Sequence, residues 1–193
     1  MKDLVSELRA SIAATLLLAV LCCGVYPVVV WAVGQGLFSS DANGSLVRVD
    51  GKVAGSSLLA QGFTASTYFH ARPSAAGQGY DAAGSSGTNL GPTSKKLIES
   101  VKERVDAYRA ENGLPPDARV PADAVTSSAS GLDPHISPAN ANLQAGRVAT
   151  ARGMTKEEVL KKVRAHTEGR SLGIFGEPRV NVLMLNLDLD GKI

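Results

Sequence analysis

Residues 12–33 read IAATLLLAVLCCGVYPVVVWAV, inside a longer stretch from Ala10 to Ser40 that holds no charged side chain. As a helix rising about 1.5 Å per residue, this segment reaches roughly 33 Å, enough to cross a hydrocarbon core of about 30 Å. Pro27 would break a helix in water but is tolerated in a membrane, where neighbouring groups re-satisfy the freed carbonyl. Trp31 falls where an interfacial aromatic belt would lie. Lys2 and Arg9 precede the span and the next basic residue is Arg48, a bias that predicts a cytoplasmic amino terminus and an extracytoplasmic domain. A cleaved signal peptide is the rival reading, with Val30 and Ala32 as its small-residue site. The apolar run is longer than the usual signal core.

The expected organisation is therefore a cytoplasmic segment over residues 1–11, a transmembrane helix over 12–33, a linker over 34–45 rich in Gly, Ser and Asn, and a globular domain over 46–193. About 160 residues beyond the span suffice for a hydrophobic core. The formal net charge of +2 comes without a run of like charges, so no nucleic-acid footprint is visible. Cys22 and Cys23 are the only cysteines, and both fall within the span as small apolar side chains. The domain must hold together without disulfides.

Along the domain, Val47 and Val49 flank Arg48 and precede Asp50-Gly51, a type I′ hairpin signal. A short extended piece is expected at Thr67–His70, ended by Arg72-Pro73. Ala75–Ser94 is too rich in glycine to hold regular structure. A helix opens at Ser94 with Leu97, Ile98, Val101, Val105 and Tyr108 on its apolar face and closes at Gly113. Pro121–Pro138 reads as irregular. Ser137 and Pro138 start a second helix that Gly153 ends. Thr155 and Glu158 form a capping box for a third, with Val159, Leu160 and Val163 facing inward. RVNVLMLNLDLD, residues 179–190, alternates as a strand. The fold class expected is a single N-terminal transmembrane helix plus an extracytoplasmic α/β (or α+β) domain with about three helices and a few strands.

Chemistry-bearing residues are sparse. Ser130, Asp133 and His135 supply the residue types of a nucleophilic triad, but Asp133-Pro134-His135 is an extended turn without a nucleophile elbow. His70, His135 and His166 stand apart, without the spacing of metal ligands. The glycine-rich loop 84–91 could aim several N–H groups at an anion, yet it lacks the Gly-Lys-Ser/Thr of a phosphate-binding loop. The chain contains neither an Asp-Lys-Thr-Gly segment nor a Thr-Val-Gly-Tyr-Gly filter, and one helix cannot enclose a pore. In a transport process, other subunits would have to supply pore and motor.

Several segments carry a resemblance. Tyr68-Phe69-His70-Ala71-Arg72-Pro73-Ser74, the loop Ser85–Pro92 (SSGTNLGP), the block Ser128–Pro138 (SASGLDPHISP), then Gln144, Arg147, Val148 and Ala149, and finally Gly176–Leu183 (GEPRVNVL) with Leu185-Asn186 resemble the C subunit of the Kdp potassium-transporting ATPase, from the anchor to Leu189. The resemblance implies a non-catalytic accessory subunit of an ATP-driven, high-affinity potassium importer in the bacterial inner membrane. Its partners would be a channel-like potassium-binding subunit, a P-type ATPase subunit and a small membrane peptide. The role favoured is stabilising assembly and capping the outer mouth of the channel-like subunit, with Ala13, Ala14 and Gly24 aiding helix packing.

An alternative that the resemblance implies is a helper raising the ATP affinity of the catalytic subunit, which leaves ATP open as a ligand at Ser85, Ser86, Gly87 and Thr88. Here Ser86 replaces a glycine and Thr88 a serine of the family's Ser-Gly-Gly-Ser. A remote alternative is an anchored envelope hydrolase. No catalytic residue and no metal ligand is expected. The resemblance assigns no role to Arg72, Pro73, Ser74, Asn89, Ser130, Gly131, Asp133, Pro134, His135, Ser137, Arg147, Asn181 and Asn186.

Overall fold

The computed structural model describes residues 2–193, with Lys2 described by its backbone only. Two compact units form, one through Leu46 and one from Val47.

The first unit is dominated by the apolar helix. α1 (Lys2–Ala19) runs into a widened π turn over Val20–Val25 and continues as α2 (Tyr26–Leu37). The widened turn has a local cause. Pro27 has no N–H to donate, and its ring collides with the carbonyl four residues earlier in a regular helix. The ladder adjusts by bonding Tyr26 N–H to Leu21 O, five residues back, as π turns do beside such interruptions. Asp3–Leu37 is the one helix, among the described residues, long and apolar enough to cross a membrane. Its 35 residues reach roughly 52 Å, so the helix exceeds a hydrocarbon core of about 30 Å. It runs through Gly34 and Gly36 to Leu37, and α3 (Ser39–Ala42) follows at once.

The second unit opens with a hairpin, β1 (Leu46–Val49) and β2 (Lys52–Ser56). Asp50 and Gly51 both adopt positive φ, +50° and +76°, the pair that a type I′ turn demands. α4 (Lys95–Glu111) starts at Ser94, whose hydroxyl accepts from Leu97 N–H, and buries Tyr108, whereas Ile98 of the expected apolar face stays exposed. α6 (Pro138–Arg152) has Ser137 as its N-cap and Gly153, in left-handed conformation, as its C-cap. α7 (Lys156–Ala165) carries both halves of the capping box between Thr155 and Glu158. That bond holds the exposed Glu158 carboxyl below the ordinary carboxylate range.

Three expectations are corrected. Residues 179–190 do not form one strand: β5 (Arg179–Asn181) is followed by α8 (Val182–Leu189), which Asn181 caps by accepting from Met184 N–H. In VLMLNLDL only Asn186 and Asp188 are polar, a run too short and too apolar for period alone to separate helix from strand, and leucine is a good helix former. Val182, Leu183, Leu185 and Asn186 are the buried positions, which is helical rather than alternating spacing. Thr67–His70 begins as a turn, closed by Tyr68 N–H on Ala65 O, rather than as a strand. The stretch 121–138 includes a helical turn, α5 (Ala122–Val125), and a two-residue strand, β3 (His135–Ile136).

β5 is the middle strand of a three-stranded antiparallel sheet, with β3 on one side and β4 (Thr167–Glu168) on the other. Ile136 and Thr167 both pair with Val180. The core lies between this sheet and the helices. α6 presents Ala141, Ala145, Val148 and Ala149, α7 presents Val159 and Val163, and Phe69, Ile136, Val180, Val182 and Leu185 complete one cluster. The alanines of α6 at i, i+4 and i+8 let α7 approach closely, which is why Val159 and Val163 are sealed from solvent. The fold is thus one N-terminal apolar helix followed by a small α/β domain.

Candidate functional site

The domain folds its separated motif segments onto one another. Arg72 is the first junction. Its guanidinium donates to Asp133 Oδ2 at 3.1 Å and to the carbonyls of Thr126 at 3.4 Å and Ser127 at 3.3 Å. Asp133 Oδ1 accepts the His135 backbone N–H at 3.0 Å and lies 3.3 Å from His135 Nδ1. Burial alone would raise the Asp133 carboxyl. The hydrogen bonds from His135 and Arg72 outweigh it and hold the group below the ordinary range. Ser74 donates to Gly131 O at 2.7 Å and accepts from the N–H groups of Ala76 and Tyr80. Tyr80 returns a bond to Arg72 O at 2.9 Å, and burial raises its phenol. Pro134 O accepts Val182 N–H at 3.0 Å, joining this block to the start of α8.

The glycine-rich loop is docked on the same block. Ser86 N–H and the Ser85 hydroxyl both bond Ser130 O at 3.0 Å, and the Ser86 hydroxyl donates to Gly87 O. The approach is close. A Cβ on Gly131 (φ +68°) would sit 2.6 Å from Ser86 O, and one on Gly87 would sit 2.9 Å from Ala129 O. Thr88 and Asn89 are exposed, Asn89 in left-handed conformation.

Ser130 Oγ accepts from Leu132 N–H and lies 3.4 Å from Ser128 Oγ. No hydrogen bond joins it to His135 among the described residues. Each histidine has a carboxylate neighbour of its own: Glu111 for His70, Asp133 for His135, Asp188 for His166. Among the described residues no three His, Cys, Asp or Glu side chains stand where they could hold a metal ion.

Two amide side chains grip the strand-like segment Phe69-His70 residue by residue. Asn186 of α8 accepts Phe69 N–H at 2.8 Å and donates to Phe69 O at 2.9 Å. Gln144 of α6 does the same for His70, at 2.8 Å and 3.1 Å. Arg147 then donates to Gln144 Oε1, to the carbonyls of Ser66 and Tyr68, and to Asn112 Oδ1. Burial lowers the Arg147 pKa, partly offset by Glu111. Asn140 Oδ1 receives Tyr108 OH and Gln144 Nε2, and its own amide nitrogen donates to Asp123. Burial pushes the Tyr108 phenol far up.

Asp123 also accepts from the N–H and hydroxyl of Ser137, fixing the start of α6. Asn181 donates to Ser57 O while capping α8. Asp123, Asn140, Tyr108 and Arg152, which bonds Thr67 O, Leu189 O and Asp190, were not legible as site residues. Their partners are distant in sequence, and no local signal marks them.

Beside the Arg72–Asp133 junction lies an open cleft of about 570 Å³ that includes His135, Ser137, Glu177 and Arg179 in its wall. Its wall carries the pairs Arg72–Asp133, Arg179–Glu168 and Glu177–Arg170, and Asp123, which accepts from Ser137 and Asn140, adds a carboxylate without a cationic partner in those bonds. The surplus is acidic, which does not suit a phosphate. The bonds from Arg72 and Ser74 hold irregular backbone in place.

Comparison with known proteins gives one consistent answer. The family model of KdpC, the K⁺-transporting ATPase c chain, matches residues 8–191. Over 185 residues the chain is 57% identical to the potassium-transporting ATPase KdpC subunit of Nitratidesulfovibrio vulgaris (strain Miyazaki F), covering 94% of this chain and 92% of the relative. It is 54% identical over 184 residues to the KdpC subunit of Mycobacterium tuberculosis (strain H37Rv), covering 95% and 97%. With that of Koribacter versatilis (strain Ellin345) the identity is 49% over 191 residues, covering 98% and 95%.

Proposed function

The chain belongs to the KdpC family of K⁺-transporting ATPase c chains, and from that premise we propose that it is a non-catalytic accessory subunit of an ATP-driven potassium importer. One observation carries the reading: five polar side chains of the family-like segments are spent on the chain's own backbone. Arg72, Ser74, Gln144, Arg147 and Asn186 all hold main-chain groups in place. A catalytic group would instead need a free face toward a substrate. The domain is a shaped, rigid body, suited to docking.

In this reading the apolar helix spans the bacterial inner membrane with its amino terminus in the cytoplasm, as the basic residues Lys2 and Arg9 ahead of the span favour. The domain then lies outside and caps the outer mouth of a channel-like potassium-binding subunit, with the P-type ATPase subunit and a small membrane peptide completing the complex. The span packs against its neighbours along the face that carries Gly24. Protease added to right-side-out vesicles is expected to digest the domain, whereas protease on inside-out vesicles leaves it whole; the reverse pattern overturns the topology. Removing residues 47–193 while keeping the span should abolish complex assembly or potassium uptake, and intact uptake would sink the capping role.

The alternative of an ATP helper places the nucleotide on Ser85–Thr88. There the Ser86 N–H, a donor an anion cradle would need, is engaged by Ser130 O. Replacing Ser85, Ser86 and Thr88 by alanine, with Gly87 kept because a Cβ there would meet Ala129 O at 2.9 Å, is expected to leave the ATP concentration dependence of the complex unchanged; a raised requirement would revive the helper role.

A further inference from the structure

Between α4, the start of α6 and residues 62–80 the domain leaves a half-enclosed cavity of about 280 Å³. Protein interiors keep few voids larger than a water molecule, so a space of this size has a cause in the sequence. Gly62, Ala107 and Ala124 stand in its wall, and side chains this small cannot fill it. At Gly62 nothing larger fits, because a Cβ there would meet the Tyr80 ring at 3.0 Å.

The remaining wall is aromatic and already fixed. The Tyr80 hydroxyl is tied to Arg72 O, and the Tyr108 hydroxyl to Asn140 Oδ1. Phe63 packs against the core and against Tyr68, with ring centroids 5.3 Å apart. Phe63, Tyr80 and Tyr108 thus line the cavity in settled positions. A pre-formed, largely apolar hollow with a few polar groups is the anatomy of a small-molecule site.

Charge is a second observation, independent of shape. Glu111, in the wall, has its cations: His70 Nδ1 lies 2.9 Å from Oε1 and Arg147 Nε 3.9 Å from the same oxygen. Arg104, also in the wall, has no such match. Its guanidinium donates from Nη1 to Val125 O at 3.1 Å, and among the described residues no carboxylate stands within ion-pair distance of it. The rest of that planar fork suits two oxygens side by side, as in a carboxylate. A phosphate dianion would bring a second charge into a cavity that already holds Glu111, and that charge would stay uncompensated.

Volume bounds the ligand. At roughly 30 Å³ each, the liquid share of one water molecule, the cavity admits about nine non-hydrogen atoms. We propose that it is a binding site for a small organic carboxylate, whose carboxylate pairs with Arg104 and whose flat apolar body lies among Phe63, Tyr80 and Tyr108. The proposal stands apart from the accessory-subunit reading.

Sodium benzoate has the required size and charge. It is titrated calorimetrically into the full chain in detergent, against sodium chloride at the same concentration. Saturable heat with a Kd at or below about 1 mM is expected. Arg104→Gln gives up one bond at a half-buried position, so it should keep the wild-type melting temperature. It should weaken benzoate at least about tenfold, the scale of a charge-assisted hydrogen bond. Benzyl alcohol, similar in size but uncharged, should bind the wild-type chain at least about tenfold less tightly than benzoate, by the same argument.

Ala107→Leu fills the hollow from an exposed helix position and should exclude benzoate with Arg104 still in place. No saturable heat up to about 10 mM benzoate leaves the cavity to water and overturns the proposal. So does equal affinity for benzyl alcohol, equal affinity in Arg104→Gln, or undiminished binding in Ala107→Leu.

Discussion

Replacing Asn186 by leucine isolates the clamp on Phe69. The side chain is 1% exposed, and its amide satisfies both Phe69 N–H and Phe69 O. Leucine shares the branched heavy-atom skeleton and its methyls are bulkier than the amide, so no cavity opens and any overpacking adds to the cost. Two buried backbone groups lose their partners, each at about 1–3 kcal/mol. The expected cost is therefore about 2–6 kcal/mol, a large part of the roughly 5–15 kcal/mol that holds a domain of this size. At about 2–4 °C per kcal/mol, the domain should melt roughly 5–20 °C lower. The measurement is near-ultraviolet circular dichroism of the full chain in detergent, where Tyr68, Tyr80 and Tyr108 report the domain.

Asn186→Asp separates the clamp from general packing. At neutral pH its carboxylate would face Phe69 O without a proton to donate, so burial raises its folded pKa above the unfolded value. Stability should then recover as pH falls and the protonated acid donates again. An Asn186→Leu melt within about 2 °C of wild type, or an Asn186→Asp deficit that does not shrink on acidification, would refute the clamp.

Two further outcomes test the junctions around it. Gly131→Ala forces a left-handed alanine and places a methyl 2.6 Å from Ser86 O and 2.8 Å from Ala76 N; backbone must move, so a loss above about 2 kcal/mol and faster proteolysis in loop 85–92 are expected. A melt equal to wild type would mean the loop is not docked. The Asp133 and Asp188 carboxyls are both held low in the fold. For Asp188, burial is outweighed by bonds from Lys162 and His166. In the window below about pH 4 the unfolded chain therefore binds more protons than the folded one, so stability present above that window is lost as pH falls through it. Asp133→Asn should flatten that acid limb in a series of melts, and an unchanged slope would show that the Arg72 junction contributes nothing to it.

The parts of this protein that could be read residue by residue are those governed by neighbours in sequence. The charge-free run around Ile12–Val33 leaves a helix as its one economical form in lipid. The type I′ turn at Asp50-Gly51, the Ser137-Pro138 helix start and the Thr155–Glu158 box each close within four residues, so their side chains predict them directly. The motif segments pointed to a family, but not to what their clamping residues do, because the partners of Arg72, Gln144, Arg147 and Asn186 lie mostly elsewhere in the chain. Asn186 meets Phe69 across 117 positions and Gln144 meets His70 across 74.

The segment after Asn181 shows the same boundary from the other side. Its leucines fit a strand and a helix equally well in isolation. The helix is chosen because it buries Val182, Leu185 and Asn186 together against the core and puts one amide on Phe69, which an alternating strand would divide between two faces. Burial of an apolar run and satisfaction of a distant backbone group are properties of the assembled domain, so there the tertiary structure decides and local pattern cannot.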